Sequence, residues 1–177
     1  MKYTQWHTVD QLPASAWSAI ERTWLPYSGS LTEALDSATE HQAQLVILRE
    51  SQETPQTEER IALKLPSDTK AYVREGGWYY QDTLWIATRV VIPVSLLNKP
   101  GSPLKDLGQR PIGKVLFTNP NTTRYPFEFK TVTREDSGKD KSSITWARRS
   151  LFSFEGELLL VNEIFLPTFF TKAPALP

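Results

Sequence analysis

The stretch from Trp146 to Pro167 constrains this chain more than any other. It holds two runs of strand-forming residues on either side of Glu155-Gly156-Glu157, which predicts a β-hairpin. The second run, Leu158 to Leu166, is apolar on both faces apart from Asn162 and Glu163. Residues two apart in a strand share a face, so Glu163 lies with Leu159, Val161 and Phe165. A carboxylate on such a face must find a partner or take up a proton. Two outcomes stand open. Glu163 is either half of a structural ion pair (or an edge charge turned to water), or it is an active-site acid.

The rest of the chain supplies candidate partners. Residues 13–25 predict a helix, with Trp17, Ile20 and Trp24 on one face and Pro13 near its start. Ser30-Leu31-Thr32-Glu33 has the form of a capping box that opens a second helix, with Leu31, Ala34, Leu35 and Ala38 as its buried stripe. Ala43 to Arg49 predicts a strand, and Glu50 to Arg60 a polar connection. Thr69 to Tyr80 and Leu84 to Val94 predict two strands around a Gln81-Asp82-Thr83 turn. Each carries an internal arginine, Arg74 and Arg89, and a buried arginine keeps its charge and must meet an anion. Leu104 to Leu107 suggests one helical turn. Pro111 suits the first position of a short helix, which brings the Ile112 amide to a positive helix end, as Leu31 is at the helix before it. Phe127 to Thr133 predicts a strand, Arg134 to Ser143 an exposed loop, and the residues after Pro167 a frayed tail. Arg148 and Arg149 point to opposite faces of their strand.

The elements sum to an α+β fold: a single domain over residues 1–177, with about six strands in a mostly antiparallel sheet and helices packed on it. A length of 177 residues suits one domain with a real core. Twenty basic and twenty acidic residues give zero formal net charge, so no global basic excess is present to hold nucleic acid. The absence of cysteine excludes disulfides, thiolate metal sites and cysteine nucleophiles. His7 and His41 lie outside any metal-ligand spacing, and no metal or cofactor is expected. No signal-peptide core or membrane-spanning run occurs, which leaves the cytoplasm as the expected compartment. Neither a phosphate-binding glycine loop nor a nucleophile elbow is present. What remains is a set of internal arginines, two helix starts and one acid on an apolar face. That kit suits a small anion in a closed pocket, without deciding between binding and catalysis.

Taken together, the segments resemble the chorismate–pyruvate lyase family, from about Trp24 to Pro167. The landmarks fall in order: Ser30-Leu31-Thr32, Leu48-Arg49-Glu50, Val73-Arg74-Glu75, Trp85 to Ser95, Leu107-Gly108, Pro111-Ile112-Gly113, Leu116-Phe117, Arg148-Arg149-Ser150 and Leu159 to Pro167. Each is weak alone, and the ordered set is specific. The resemblance implies a cofactor-free bacterial enzyme that makes 4-hydroxybenzoate and pyruvate from chorismate for ubiquinone. It matches the family's ligand-binding arginine to Arg74 and its active-site glutamate to Glu163. The two backbone contacts of the family match Leu31 and Ile112, the same helix starts found above. Slow product release and product inhibition follow by the same resemblance, and a monomer is expected. The departures are the polar loop Arg134–Ser143 and Ala147, where some relatives have glycine.

A second class of protein stays open. The ligand-sensing domain of one group of bacterial transcription regulators is similar in fold to this lyase family. Such a domain would bind an aromatic acid without turning it over. The expected DNA-binding helix-turn-helix ahead of such a sensor finds only about 25 residues here, and the retention of both Arg74 and Glu163 argues for an enzyme.

Overall fold

A computed structural model describes residues 3–135, 142–174 and 176. Its strands are β1 (His7–Thr8), β2 (Gln44–Glu53), β3 (Ala71–Tyr80), β4 (Thr83–Pro93), β5 (Thr123–Arg124), β6 (Glu128–Glu135), β7 (Ser142–Phe154) and β8 (Glu157–Phe165). The helices are α1 (Ala19–Trp24), α2 (Leu31–Ala38), α3 (Thr57–Leu63), α4 (Val94–Asn98), α5 (Ile112–Leu116) and α6 (Pro167–Lys172). All eight strands join one sheet in the order β1-β6-β7-β8-β4-β3-β2, with β5 also on β7. Every pairing in it is antiparallel. Two meanders, β2-β3-β4 and β6-β7-β8, meet where β4 pairs with β8. The α+β class stands as expected. The strand count rises from six to eight because two-residue strands, β1 and β5, are too short to carry a periodic signal.

The hairpin at the centre forms as its residues dictate. Glu155 and Gly156 take φ of 49° and 83°, a left-handed pair that matches the twist of the flanking strands. Phe154 then faces Glu157 across the turn. The β3–β4 turn uses Gln81 and Asp82 in the same way, with φ of 47° and 58°.

Several expectations need correcting. The helix over 13–25 is interrupted: a 3-10 turn at Ala14–Ala16 precedes α1, and Trp17 between them is extended. The cause is a capping box that restarts the chain at Ser18, whose backbone N–H donates to Glu21 at 2.7 Å. Trp17 is thereby free to pack edge-on against Phe129 and Trp146. Only the forward half of the expected box at Ser30 is found among the described residues, the Glu33 N–H donating to the Ser30 hydroxyl at 3.3 Å. The polar connection from Glu50 to Arg60 contains the end of β2 and the start of α3. A second box, Gln56 with Glu59, starts α3. Leu104–Leu107 is a turn rather than a helix, although both leucines are buried. Arg134, Glu135, Ser142 and Ser143 extend β6 and β7, and the middle of the expected loop, 136–141, lies outside the described residues. The tail is not frayed after Pro167. Pro167 opens α6 at a position where its missing N–H costs nothing, and Phe169 is fully buried.

Apolar residues fill both faces of the sheet. On one face, Trp24, Trp85, Phe165 and Phe169 form an aromatic knot, with ring centroids 4.8–5.4 Å apart where they touch Phe169. On the same face, α2 packs with Trp78 and Ile86, and α5 with Val90, Ile92, Phe152 and Leu159. On the other face, Leu63 of α3 covers Val73, Val91 and Leu160.

Candidate active site

Strand register decides which polar groups meet. Gly76, Thr88, Glu163, Arg148 and Phe129 face one another in one row across β3, β4, β8, β7 and β6. The next row runs Arg74, Val90, Val161, Ser150. Arg74 and Glu163 therefore lie two strands and one row apart on the same face, roughly 12 Å between Cα atoms from ordinary sheet spacings. The space between them is a cleft floored by these rows. Its walls include Leu31, Thr32, Ile112, Leu116, Phe117, Arg124 and Phe127.

Glu163 has a charged partner. Arg148 sits opposite it on β7 and donates Nε–H to Oε2 at 2.5 Å. Both are buried, Arg148 at 1% exposure and Glu163 at 8%. A pair taken this far from water requires further hydrogen bonds to offset desolvation. Arg148 makes them through Nη1, which donates to the carbonyls of Trp24, Leu25 and Tyr27 at 3.1, 2.9 and 3.3 Å. Those carbonyls belong to the last residue of α1 and the link from it to α2. The same guanidinium therefore orients Glu163 and anchors the segment that leads into Leu31. Among the described residues Oε1 of Glu163 has no hydrogen bond, so a carboxylate oxygen remains to accept one from a ligand.

Arg74, at 3% exposure, donates Nε–H to Glu50 at 2.9 Å and Nη2–H to the Gly108 carbonyl. Glu50 also accepts from Tyr72, whose phenol is pushed up to about 12, by burial first and by that bond second. Gly108 holds φ of 53°, a conformation glycine adopts freely. The Ile47 N–H donates to the side chain of Gln109 at 3.1 Å. The loop ahead of α5 is thus tied to both β3 and β2. Pro111 turns out to be the residue before the helix, extended at φ −60° and ψ 132°, and Ile112 is the first helical residue. Leu31 is likewise first in α2, after Ser30. Backbone N–H groups at these positions lack intrahelical acceptors. The two helix starts abut: a Cβ placed on Gly113 would lie 3.8 Å from Thr32 Oγ1.

All four residues expected at the site line this one cleft. Arg89 does not. It faces the other side of the sheet, where it binds Glu59 at 2.7 Å, Glu75 at 2.6 Å and Glu53 at 3.1 Å. The carboxylate-pair outcome holds for it in full. Other side chains of the cleft were missed, Thr32 and Arg124 among them. Thr32 is buried there, and Arg124, on a strand of two residues, has no periodic pattern around it. Arg124 rests over Phe127 with its guanidinium carbon 4.5 Å from the ring centroid, and Phe127 takes Arg148 at 4.4 Å.

A second, larger cavity of about 450 Å³ lies on the Arg89 side of the sheet. Its basic groups are matched by protein acids: Arg89 as above, Lys130 with Glu58, and Arg149 with Glu128. The first cleft is mostly apolar and contains a guanidinium, that of Arg124, outside every ion pair of the described residues. This makes it the better seat for an organic anion. It is narrow, with a free volume of about 70 Å³. No cluster of three or more His, Cys, Asp or Glu side chains placed to hold a metal ion occurs among the described residues. No described helix is long and apolar enough to cross a membrane.

Comparison with known proteins adds independent findings. A family model described as chorismate lyase matches residues 1–175. A protein of Coxiella burnetii named "Probable chorismate pyruvate-lyase" is 40% identical over 174 residues, covering 95% of this chain and 94% of its own. A "Chorismate pyruvate-lyase" of Pectobacterium atrosepticum is 32% identical over 144 residues, covering 81% of this chain and 75% of its own. Among solved structures, a possible transcriptional regulator of Bacillus subtilis superposes with a TM-score of 0.54 at 8% identity, over 72% of this chain and 60% of its own. That likeness concerns the fold alone.

Proposed function

The chain belongs to the chorismate lyase family, and on that premise we propose that it converts chorismate to 4-hydroxybenzoate and pyruvate, as the first step towards ubiquinone. The observation that carries this reading is the cleft in which Arg74, Glu163 and the first residues of α2 and α5 converge.

Chorismate is a dicarboxylate whose ring is one elimination short of aromatic. The bond from the ring to the ether oxygen breaks, and the proton on the neighbouring, hydroxyl-bearing carbon leaves. The ring becomes 4-hydroxybenzoate. The departing enolpyruvate takes a proton on its methylene carbon and becomes pyruvate. No oxidant is consumed and no cofactor is required, and aromatisation supplies much of the driving force. The protein's task is to orient and polarise.

Arg74 would bind the ring carboxylate through charge-assisted hydrogen bonds, with the Leu31 and Ile112 amides completing the anion site. Glu163 would accept the ring hydroxyl on its free oxygen and serve the proton transfer. Arg148 acts one step removed, by holding that carboxylate in place. A monomer in the cytoplasm is part of the same reading. Slow product release and product inhibition belong to the same family-based reading.

The test uses purified protein and chorismate without added metal or cofactor, following both products by absorbance and a pyruvate-coupled assay. Equimolar release is expected. Stable chorismate, together with tight binding of 4-hydroxybenzoate by calorimetry, would instead make the chain a sensor.

A further inference from the structure

Among the described residues, Arg124 is the arginine of the pocket without a carboxylate partner. Arg74 is committed to Glu50, and Arg148 to Glu163 and three carbonyls. Arg124 makes one hydrogen bond, from Nη2 to the Ser28 carbonyl, and is in no ion pair among the described residues. A guanidinium has five N–H donors, so most of its capacity is unspent. It is half-buried and caged by aromatic rings, its guanidinium carbon 4.5 Å from the Phe127 centroid, 5.4 Å from Phe117 and 6.0 Å from Phe152. Such stacking holds the planar fork in one orientation while leaving its edge open.

The surroundings favour an incoming anion. Burial, and next the charge of Arg148, push the Arg124 guanidinium below its usual pKa, and Glu163 acts in the opposite sense. A partly desolvated cation beside another cation gains from an anion that neither protein carboxylate is positioned to supply.

Placement in the sheet completes the argument. Arg124 faces Phe152 on β7, while Arg74 is on β3, on the far side of β4 and β8. The two guanidiniums thus approach the cleft from opposite walls. The proposed substrate carries two carboxylates, and the product keeps only one. With the ring carboxylate at Arg74 and the ring hydroxyl at Glu163, the ether carbon is next to the hydroxyl-bearing carbon. The enolpyruvyl group then emerges beside Glu163, whose charge Arg124 senses.

Building on the lyase reading above, we propose that Arg124 is the substrate-specific binding residue, which takes the enolpyruvyl carboxylate that leaves with pyruvate. It therefore contributes to substrate affinity and not to product affinity. This division gives the departing carboxylate a cationic seat separate from the one that retains 4-hydroxybenzoate.

The test compares the parent protein with Arg124→Ala and Arg124→Lys in two readouts. In turnover, KM for chorismate should rise about 10- to 100-fold in Arg124→Ala, the worth of a charged hydrogen bond, with partial recovery in Arg124→Lys. In calorimetry, affinity for 4-hydroxybenzoate should stay within about 2-fold of the parent, a change of about 0.4 kcal/mol. A non-reacting dicarboxylate, 3-(carboxymethoxy)-4-hydroxybenzoate, should lose affinity by the same factor as KM. Equal loss of both ligands would overturn the proposal in favour of a role in shaping the pocket. So would unchanged KM. If the parent protein does not turn chorismate over, the lyase reading fails while the two-ligand comparison still decides whether Arg124 selects a second carboxylate; equal affinities would then sink that as well.

Discussion

At the scale of single residues, Glu163 carries the sharpest prediction. Its Oε2 is engaged by Arg148 and its Oε1 has no described partner, so the group is oriented before a ligand arrives. Glu163→Gln keeps the shape and one acceptor oxygen and removes the charge. Turnover should fall by about 10²- to 10⁴-fold, the usual range for losing a positioned acid–base group, while calorimetry shows 4-hydroxybenzoate still bound. Full activity would reduce Glu163 to a structural member of the Arg148 pair. Part of that pair was legible in the chain. If Glu155 and Gly156 alone form the turn, Phe154 faces Glu157, and six further steps outward bring Arg148 opposite Glu163. Placing the turn one residue longer hides this, because a one-residue slip moves every side chain to the other face. Arg124 offered no such handle. Its surroundings are three aromatic rings brought together from β7, the residue after α5 and the stretch before β6, and no local spacing encodes that.

Among the elements, α6 departs furthest from what its sequence suggested. A proline-rich end reads as loose, yet Phe169 is buried among Trp24, Trp85 and Phe165. The Trp24 indole N–H also donates to the Pro174 carbonyl at 2.8 Å. The helix thus closes the aromatic knot beneath α1, next to the α1–α2 link that Arg148 anchors. Phe169→Ala should cost about 3–5 kcal/mol, as large-to-small changes in packed cores do. A urea-unfolding midpoint indistinguishable from the parent's would show the helix to be dispensable. The long strands, by contrast, were readable to within a few residues, since alternation over about ten positions is hard to mistake. Ends and short pieces were not: β2 continues from Arg49 to Glu53 because its charged side chains meet partners on β3 and β4, a tertiary gain that overrides local propensity.

Across the whole molecule, the sheet divides its labour by face. One face holds the cleft. On the other, Arg49 and Arg89 bind Glu53, Glu59 and Glu75 and so tie β2, β3, β4 and α3 together. Hydrogen bonding from Arg49 holds the Glu53 carboxyl down to about 2 and lowers Glu75 likewise, while Lys130 chiefly lowers Glu58. These folded-state values lie below the ordinary carboxylate value of 4.5. The stabilisation is therefore complete above that value and is lost as pH falls through the folded values, because the unfolded chain takes up protons first. Glu58 is exposed and Glu53 and Glu75 are partly so, so salt should blunt the effect. Urea midpoints should be flat from about pH 8 to about pH 6, fall between about pH 4.5 and about pH 2, and fall less steeply in about 0.5 M salt. A midpoint that holds constant down to about pH 2 would mean that the network adds nothing to folding. The same experiment separates the faces. Since the cleft's Glu163 and Arg148 are on the opposite side of the sheet, Glu53→Gln should remove part of the acid slope and leave affinity for 4-hydroxybenzoate at neutral pH unchanged.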